Sequence, residues 1–345
     1  MLAYVYDTNG KLALAERPQP TAHPDSGVIK VNACAICGTD VRTYLKGSTK
    51  IVPPRTVGHE VVGTIVELGE NISGFQVGDR VHVTPAIGCG TCYPCQKGFT
   101  NMCDQLQTIG FDFDGGFASH MELPAQAFRM GNITKLPSSI SDEEGVLAEP
   151  CACVVNAQEF LNIRDGDYVG IWGSGFIGCV HAELAIEQGA ARVLMIDPAP
   201  HRLATAAKLL PNVIMIDPAE PDVVEAVRRH TDGRGVDVAI TACSAGPAQT
   251  EAQQAAAKRG RLSLFGGLVG ESTGFVDSNL IHYRELSVHG VHASTPEHNR
   301  KVLDRLHKGT LNLKKYISAV YPLSEIETAF AEIATGNIFK IIIKP

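Results

Sequence analysis

The stretch Tyr168–Asp197 reads YVGIWGSGFIGCVHAELAIEQGAARVLMID and predicts the fold of the chain around it. A short apolar run suited to a buried parallel strand enters a glycine-rich turn, and helical spacing and a second apolar run follow. Gly173 permits the tight turn, Gly175 lets a pyrophosphate approach the backbone, and Gly178 lets the helix pack close to its strand. This context indicates a dinucleotide-binding motif rather than a glycine-rich turn that binds nothing.

The residues beside these glycines indicate how a dinucleotide is held. Phe176 and Ile177 open the helix, whose free N–H groups and positive dipole end suit phosphate. Asp197 ends the second strand nineteen positions after Gly178 and can accept hydrogen bonds from the adenosine ribose hydroxyls. An acid there repels the additional phosphate of NADP, so NAD is the predicted cofactor. Arg202 follows closely and weakens this preference; we count it among the cofactor-binding residues.

The composition indicates a globular protein with two domains. The chain has 345 residues, of which 44% are hydrophobic and 19% charged. A net charge of −7 argues against a nucleic-acid partner, because phosphate binding needs a basic face. There is no apolar run of about eighteen residues and no basic segment followed by an apolar core at the start. We therefore expect no membrane partner, no secretory signal and a cytoplasmic location.

The pattern of apolar runs divides the chain. Residues 1–150 have short runs broken by glycine and proline, which predicts a β-rich domain. Residues from about 153 to 290 alternate such runs with helical patterns, which predicts a doubly wound parallel sheet. The final run at 339–343 needs a partner strand, and a return to the first domain is the simplest solution. The expected domains of this α/β protein are residues 1–152 with 292–345, and residues 153–291.

Four cysteines lie in one short segment at spacings of three, three and eight residues: Cys89, Cys92, Cys95 and Cys103. This pattern fits a closed tetrahedral Cys₄ zinc site that orders a loop and does no chemistry. Two redox-active CxxC pairs and an iron–sulfur cluster are the alternatives, but a redox dithiol does not need four thiols in one segment.

Cys37, His59 and Glu60 are candidate ligands for a second zinc ion. A thiolate and an imidazole are good zinc ligands, and a catalytic zinc takes three protein ligands with one position open. The spacing alone carries little weight, since a lone cysteine or histidine usually packs in the core. Glu149 precedes the dinucleotide-binding region and is the further candidate ligand that strengthens the set.

In their order along the chain, these motifs resemble the zinc-dependent medium-chain alcohol dehydrogenases. The resemblance rests on Cys37, Gly58-His59-Glu60, the four-cysteine segment, Glu149-Pro150 and GSGFIG, and it covers essentially the whole chain. It implies a GroES-like catalytic domain with an inserted Rossmann domain, two zinc ions per chain and a homodimer or homotetramer. The Glu-Pro pair is similar to the sorbitol and threonine dehydrogenase branch, which acts on polyols, sugars or amino alcohols.

The resemblance also implies a reaction. A catalytic zinc held by Cys37, His59 and Glu149, with Glu60 on it or near it through water, would lower the pKa of a substrate hydroxyl. Thr39 would carry the proton away while hydride passes to NAD. We therefore expect reversible oxidation of a secondary hydroxyl to a ketone in a polyol, a sugar or a phosphate of either. The alternatives are an L-threonine 3-dehydrogenase-like enzyme and a non-catalytic binding protein on the same scaffold.

Two positions depart from this branch. Arg42 stands where members often have a proton-relaying histidine, and a guanidinium cannot shuttle protons at ordinary pH. Arg42 is expected to be a surface charge, although it or Arg55 could bind an anionic group of a phosphorylated substrate. His292 lies near the position of an arginine in sorbitol dehydrogenases, which puts both sorbitol and threonine in doubt as substrates.

Overall fold

The computed structural model describes residues 1–217, 219–268, 270 and 272–345. The chain forms two compact units. The first unit comprises Met1–Ala152 and Ala293–Pro345, and the second unit comprises Cys153–His292. None of the helices in the described residues is long and apolar enough to cross a membrane.

The β-strands, in chain order, are β1 (Leu2–Tyr6), β2 (Leu12–Glu16), β3 (Gly27–Ala35), β4 (Arg55–Thr56), β5 (Glu60–Leu68), β6 (Arg80–Val83), β7 (Ala86–Ile87), β8 (Gln107–Thr108), β9 (His120–Leu123), β10 (Ile133–Lys135), β11 (Tyr168–Trp172), β12 (Arg192–Ile196), β13 (Ile214–Met215), β14 (Val236–Thr241), β15 (Ala256–Leu264), β16 (Ser287–Gly290), β17 (Ile317–Pro322) and β18 (Lys340–Lys344).

The α-helices are α1 (Gly38–Lys46), α2 (Tyr93–Gln96), α3 (Ala125–Arg129), α4 (Asp142–Gly145), α5 (Ala148–Leu161), α6 (Phe176–Glu187), α7 (Pro200–Leu209), α8 (Val223–Arg229), α9 (Gly246–Ala255), α10 (Ser278–Arg284), α11 (Pro296–Lys308) and α12 (Ile326–Ala334). Short 3₁₀ turns occur at Thr100–Met102, Lys314–Tyr316 and Leu323–Glu325.

The first unit is built on β-sheets. Its main sheet has the order β10-β6-β5-β3-β18-β17, with β9 also paired to β3, and a smaller sheet has the order β2-β1-β4. The closing strand β18 pairs antiparallel with β3, with Ile342 opposite Ala35. In the core, the ring centroid of Phe330 lies 5.2 Å from that of Tyr4 and 5.9 Å from that of Phe117, which joins α12 to β1 and to the segment before β9. The last residues of the chain thus complete a sheet begun near its start.

The second unit contains the parallel sheet that the sequence predicts. Its strand order is β13-β12-β11-β14-β15-β16, and every pairing is parallel. Numbered within the unit, this is the order 3-2-1-4-5-6 of dinucleotide-binding sheets. The strand β11 is buried along most of its length because β12 and β14 flank it. The doubly wound fold is confirmed.

One boundary in this sheet differs from the sequence pattern. The alanine-rich residues 247–259 predict one continuous helix, but α9 ends at Ala255 and β15 begins at Ala256. Ala256 is already extended, with φ −64° and ψ 138°, and pairs with Val236. Pairing in the sheet outweighs the small intrinsic helix preference of these residues.

The glycine-rich turn after β11 shows a distinct reason for each glycine. Gly173 has a φ of +117°, a conformation that L side chains rarely adopt. A β-carbon at Gly178 would lie 1.9 Å from the carbonyl oxygen of Gly173, so α6 packs against the turn with no room for a side chain. Gly175 has φ −73°, and a β-carbon there would meet no atom of the described residues within 4 Å. Space in front of Gly175 is what a bound pyrophosphate requires.

Replacing Gly178 or Gly175 with alanine should separate packing from binding. Gly178→Ala is expected to reduce the free energy of unfolding by about 3 kcal/mol, because its methyl group overlaps a backbone oxygen. Gly175→Ala is the matched control and should change stability by less than about 1 kcal/mol, because its conformation suits alanine. Urea denaturation measures both values. Equal losses in the two variants would contradict this account of the turn.

Candidate active site

Two segments of the first unit bring three metal-ligating side chains together. Cys37 follows β3, and His59 directly precedes β5, which begins at Glu60. The two strands are antiparallel neighbours with Ala35 opposite Glu60, so the end of one lies beside the start of the other. Ligand atoms of Cys37, His59 and Glu60 all lie within 4.8 Å of one another. A thiol, an imidazole and a carboxylate at this range form a donor set that suits zinc.

The backbone that carries His59 depends on close contacts between glycines. Gly58 has φ +97°, and its carbonyl oxygen accepts the N–H of Gly116 at 2.9 Å. A β-carbon at Gly115 would lie 2.1 Å from the same oxygen. The segment 115–117 therefore fixes the turn that positions the histidine.

Asp40 is a buried carboxylate that contacts both ligand segments. Its Oδ2 accepts the backbone N–H of Cys37 at 3.0 Å, within the capping box of α1. Its Oδ1 lies 3.5 Å from Nδ1 of His59, an atom that is buried without a hydrogen-bond partner among the described residues. Burial alone would lower the pKa of His59, but Asp40 and Cys37 outweigh it and raise that pKa well above its usual value. A carboxylate beside a metal-binding imidazole orients the ring.

Glu149 is buried in the first turn of α5. It is not within the 4.8 Å group, but its charge interacts with His59 and with Glu60. Burial raises the pKa of Glu149 to about 7, while His59 acts in the opposite direction. Lys340 also favours the ionised form of Glu149. A buried carboxylate is a candidate metal ligand, because a bound cation would keep it ionised.

Lys340, on the closing strand β18, holds the carboxylate of Glu60. Its Nζ donates to Oε1 and Oε2 of Glu60 at 2.6 and 2.5 Å and to the carbonyl oxygen of Ile36 at 3.0 Å. Glu60 is 0% exposed and Lys340 is 5% exposed, so water does not screen this pair. Burial would lower the pKa of Lys340, but Glu60 outweighs burial and raises it. Both oxygens of Glu60 are thus engaged by a cation from the distant end of the chain.

Replacing Lys340 with methionine should destabilise the first unit strongly. The substitution leaves a buried carboxylate without its partner, which costs about 3–5 kcal/mol. Lys344→Met on the same strand is the matched control, because Lys344 pairs with Glu143 and is 45% exposed. That change should cost less than about 1 kcal/mol. Urea denaturation at pH 7 measures the free energy of unfolding of both variants. If K340M loses no more stability than the Lys344→Met control, the role given to the Lys340–Glu60 pair is contradicted.

Thr39 lies in the first turn of α1, two residues after Cys37. Its backbone N–H donates to Sγ of Cys37 at 3.5 Å. Its side chain is half-buried, and no hydrogen bond of its hydroxyl is found in the part of the chain that the structure describes. The hydroxyl is therefore not engaged in a turn bond to the backbone of the described residues.

The four-cysteine segment forms a second group of metal-ligating atoms, built from Cys89, Cys92, Cys95 and Cys103. All four cysteines are free thiols whose sulfur atoms lie within 4.8 Å of one another. The sulfur atoms of Cys92 and Cys103 are 3.7 Å apart, close to the edge of about 3.8 Å in a tetrahedron with Zn–S bonds of about 2.3 Å. Hydrogen bonds from Thr91 and Cys92 lower the pKa of Cys89 to about 6, whereas burial raises the pKa of Cys95 to about 12 and also raises that of Cys103. The segment fits a structural zinc ion.

In the second unit, the glycine-rich turn lies at the carboxyl end of β11. The strands β12 and β14 flank β11, so the turn lies where the strand order reverses, the usual ligand position in such sheets. Phe176 is buried and Ile177 half-buried at the start of α6, and Asp197 follows β12. Arg202 is half-buried on α7.

The three residues discussed as possible substrate contacts or as departures from the sorbitol and threonine dehydrogenase branch lie in different surroundings. Arg42 is exposed on α1. Arg55 lies 3.4 Å from Asp114, so an acidic partner already engages its guanidinium. His292 is exposed, and its carbonyl oxygen accepts a hydrogen bond from Asn156 at 3.5 Å.

The sequence analysis did not identify two residues that contact the candidate ligands, Asp40 beside His59 and Lys340 beside Glu60. Asp40 had a local signal, because an acid three residues after an N-cap completes a capping box. Lys340 had none, since it is 280 residues from its partner Glu60.

Comparison with known proteins covers both units. Residues 23–137 match the family model "Alcohol dehydrogenase GroES-like domain", and residues 177–308 match the model "Zinc-binding dehydrogenase". A sorbitol dehydrogenase of Halalkalibacterium halodurans is 32% identical over 338 residues, covering 97% of this chain and 96% of the relative. An L-threonine 3-dehydrogenase of Pyrococcus horikoshii is 35% identical over 335 residues, 95% of this chain and 94% of the relative. A D-arabitol-phosphate dehydrogenase of Enterococcus avium is 32% identical over 337 residues, which cover 97% of this chain and 94% of the relative.

Solved structures agree with these matches. A protein of Sinorhizobium meliloti 1021 bound to NADP has a TM-score of 0.90 at 28% identity, over 100% of this chain and 99% of the other. A short chain alcohol dehydrogenase of Escherichia coli CFT073 complexed with NADH has a TM-score of 0.90 at 27% identity, also over 100% and 99%. The chain belongs to the zinc-dependent medium-chain alcohol dehydrogenase family and is an oxidoreductase that acts on CH–OH donors.

Proposed function

We propose that this protein is an NAD-dependent zinc dehydrogenase that oxidises a secondary hydroxyl of a polyol, a sugar or a phosphate of either. The observation that carries the proposal is the group Cys37, His59 and Glu60, whose ligand atoms lie within 4.8 Å, with the buried carboxylate of Glu149 nearby. Membership of an oxidoreductase family supports the reaction type. The group of Cys37, His59 and Glu60 is the proposed place where the substrate hydroxyl is activated. The reaction is reversible.

Cys37, His59 and Glu149 would hold the catalytic zinc ion, with Glu60 as a ligand or as a neighbour through water. When bound, such an ion acts as a Lewis acid and makes a hydroxyl acidic near neutral pH. Cys89, Cys92, Cys95 and Cys103 would hold a second, structural ion, because their four thiols leave no position open for a substrate.

The chain's own side chains have defined roles in this proposal. Asp40 keeps the imidazole of His59 in its orientation, and Lys340 holds Glu60 through both carboxylate oxygens. The hydroxyl of Thr39 would relay the proton of the substrate hydroxyl, accepting it while passing its own proton on towards the cofactor ribose. A bound NAD would supply the hydride acceptor for the substrate carbon. Burial of these carboxylates strengthens each interaction, because little water remains to screen it.

The cofactor in this proposal is NAD, held by Gly173, Gly175, Gly178 and the first residues of α6. Asp197 supports NAD over NADP, because its carboxylate repels a phosphate on the adenosine ribose. Arg202, on the first turns of α7, acts in the opposite direction. Similar proteins have been solved with NADP and with NADH, so similarity alone favours neither cofactor. The proposed preference for NAD therefore rests on Asp197 of this chain.

The substrate class is the finer part of the proposal. Relatives named for sorbitol and for D-arabitol phosphate favour a polyol or its phosphate, and the exposed Arg42 could meet an anionic group. Relatives named L-threonine 3-dehydrogenase make an amino alcohol the second candidate. The proposal includes no nucleic-acid partner and no membrane partner. It describes a cytoplasmic enzyme that forms a homodimer or homotetramer.

A substrate panel followed as NAD⁺ reduction tests the proposal. Polyols or polyol phosphates should be oxidised with a kcat/KM at least about tenfold above that of L-threonine. If a phosphate ester is preferred, Arg42→Gln should raise its KM and leave the KM of the unphosphorylated polyol unchanged. Turnover of threonine alone would replace the polyol assignment, and turnover with NADP⁺ alone would contradict the cofactor assignment.

A further inference from the structure

The carboxylate of Asp197 is held by hydrogen bonds from two neighbouring segments. Its Oδ2 accepts the backbone N–H of Ser174 at 2.9 Å and the hydroxyl of Ser174 at 2.9 Å. Its Oδ1 accepts the N–H of Ala199 at 2.9 Å. Ser174 is the second residue of the glycine-rich turn, so the turn and the acid are linked directly.

The number of acceptor positions limits what Asp197 can offer a ligand. An ionised carboxylate has about four lone-pair directions, two on each oxygen. Both directions on Oδ2 are used by Ser174, and one on Oδ1 is used by Ala199. One direction on Oδ1 remains, which suffices for a single ribose hydroxyl.

The surroundings make the negative charge of Asp197 effective. Asp197 is 5% exposed and Ser174 is 0% exposed, so water screens the carboxylate weakly. Gly173 also donates its N–H to Ile196 at 2.8 Å, and Sγ of Cys179 donates to the carbonyl oxygen of Ser174 at 3.6 Å. The serine is thus fixed from both sides, and it can hold the carboxylate in one orientation.

We propose that Ser174 is the positioning residue that fixes the carboxylate of Asp197 and thereby sets the preference for NAD over NADP. The inference rests on the dinucleotide site of the proposed function and adds a specificity-determining residue to it. Held in place, the carboxylate accepts the ribose hydroxyl of NAD and repels the phosphate of NADP. Without the serine hydroxyl, one of three hydrogen bonds to the carboxylate is lost, its orientation is less restricted, and its repulsion of the phosphate decreases.

A purely structural role for Ser174 is the alternative. The serine could stabilise the turn without affecting the choice of dinucleotide. Such a role would lower the thermal stability and weaken NADH and NADPH binding equally. The ratio of the two dissociation constants therefore distinguishes the two roles.

Isothermal titration calorimetry of the metal-loaded protein with NADH and with NADPH measures that ratio. Ser174→Ala should weaken NADH binding about three- to tenfold, which is only part of the free energy of a hydrogen bond to a charged group, because two backbone N–H groups still hold Asp197. NADPH binding should stay constant or become tighter. Ser263→Ala is the matched control, because Ser263 is equally buried in the same sheet and its hydroxyl has no hydrogen-bond partner among the described residues.

Two further variants keep the test decisive if Ser174→Ala folds poorly. Ser174→Thr retains the hydroxyl and should retain the preference for NADH. In an Asp197→Ala background, Ser174→Ala should leave the ratio unchanged, because the carboxylate on which the serine acts is gone. A wild-type protein that binds neither dinucleotide would overturn the proposed function and this inference with it. NADH binding with the same ratio in Ser174→Ala and wild type would overturn this inference alone.

Discussion

Burial of several acidic side chains at one point of the first unit is the constraint on which the rest of the site depends. Glu60, Asp40 and Glu149 are all buried and interact with the charge of His59, and the thiol of Cys37 also acts on His59. Removing a carboxylate from water costs several kcal/mol unless a positive charge compensates. Lys340 compensates for Glu60 through both of its oxygens. His59, with its raised pKa, and Lys340 bring positive charge to this group, and its thiol, imidazole and carboxylates are also donors that suit zinc.

This electrostatic constraint explains features of the backbone. The pairing of the closing strand β18 with β3 brings Lys340 to Glu60. The turn at Gly58 must be tight, because it places His59 beside the end of β3. In the second unit the constraint is steric instead. Gly178 allows α6 to approach the turn after β11, and Gly175 leaves open space for a phosphate.

The sequence predicts those parts of the site whose chemistry lies in short segments. The glycine-rich turn, the four cysteines and the Gly58-His59-Glu60 motif each lie within a short segment, so the sequence alone predicts each of these groups. The link between Ser174 and Asp197 joins residues 23 positions apart, and the motif that contains the serine specifies only its glycines. The partner of Glu60 lies 280 positions away, and only the pairing of β18 with β3 reveals it. Periodicity also misplaced the end of α9, because cross-strand pairing is not encoded in local helix preference.

Zinc content is the most direct test of the central claim that a catalytic ion balances the buried ligands around His59. Mass spectrometry of the active protein after desalting should give two zinc ions per chain, and Cys37→Ala should retain one while losing turnover. Cys92→Ser serves as the comparison, because it should remove the other ion and act mainly on stability. An active wild-type protein without a transition metal, unaffected by chelators, would contradict the account.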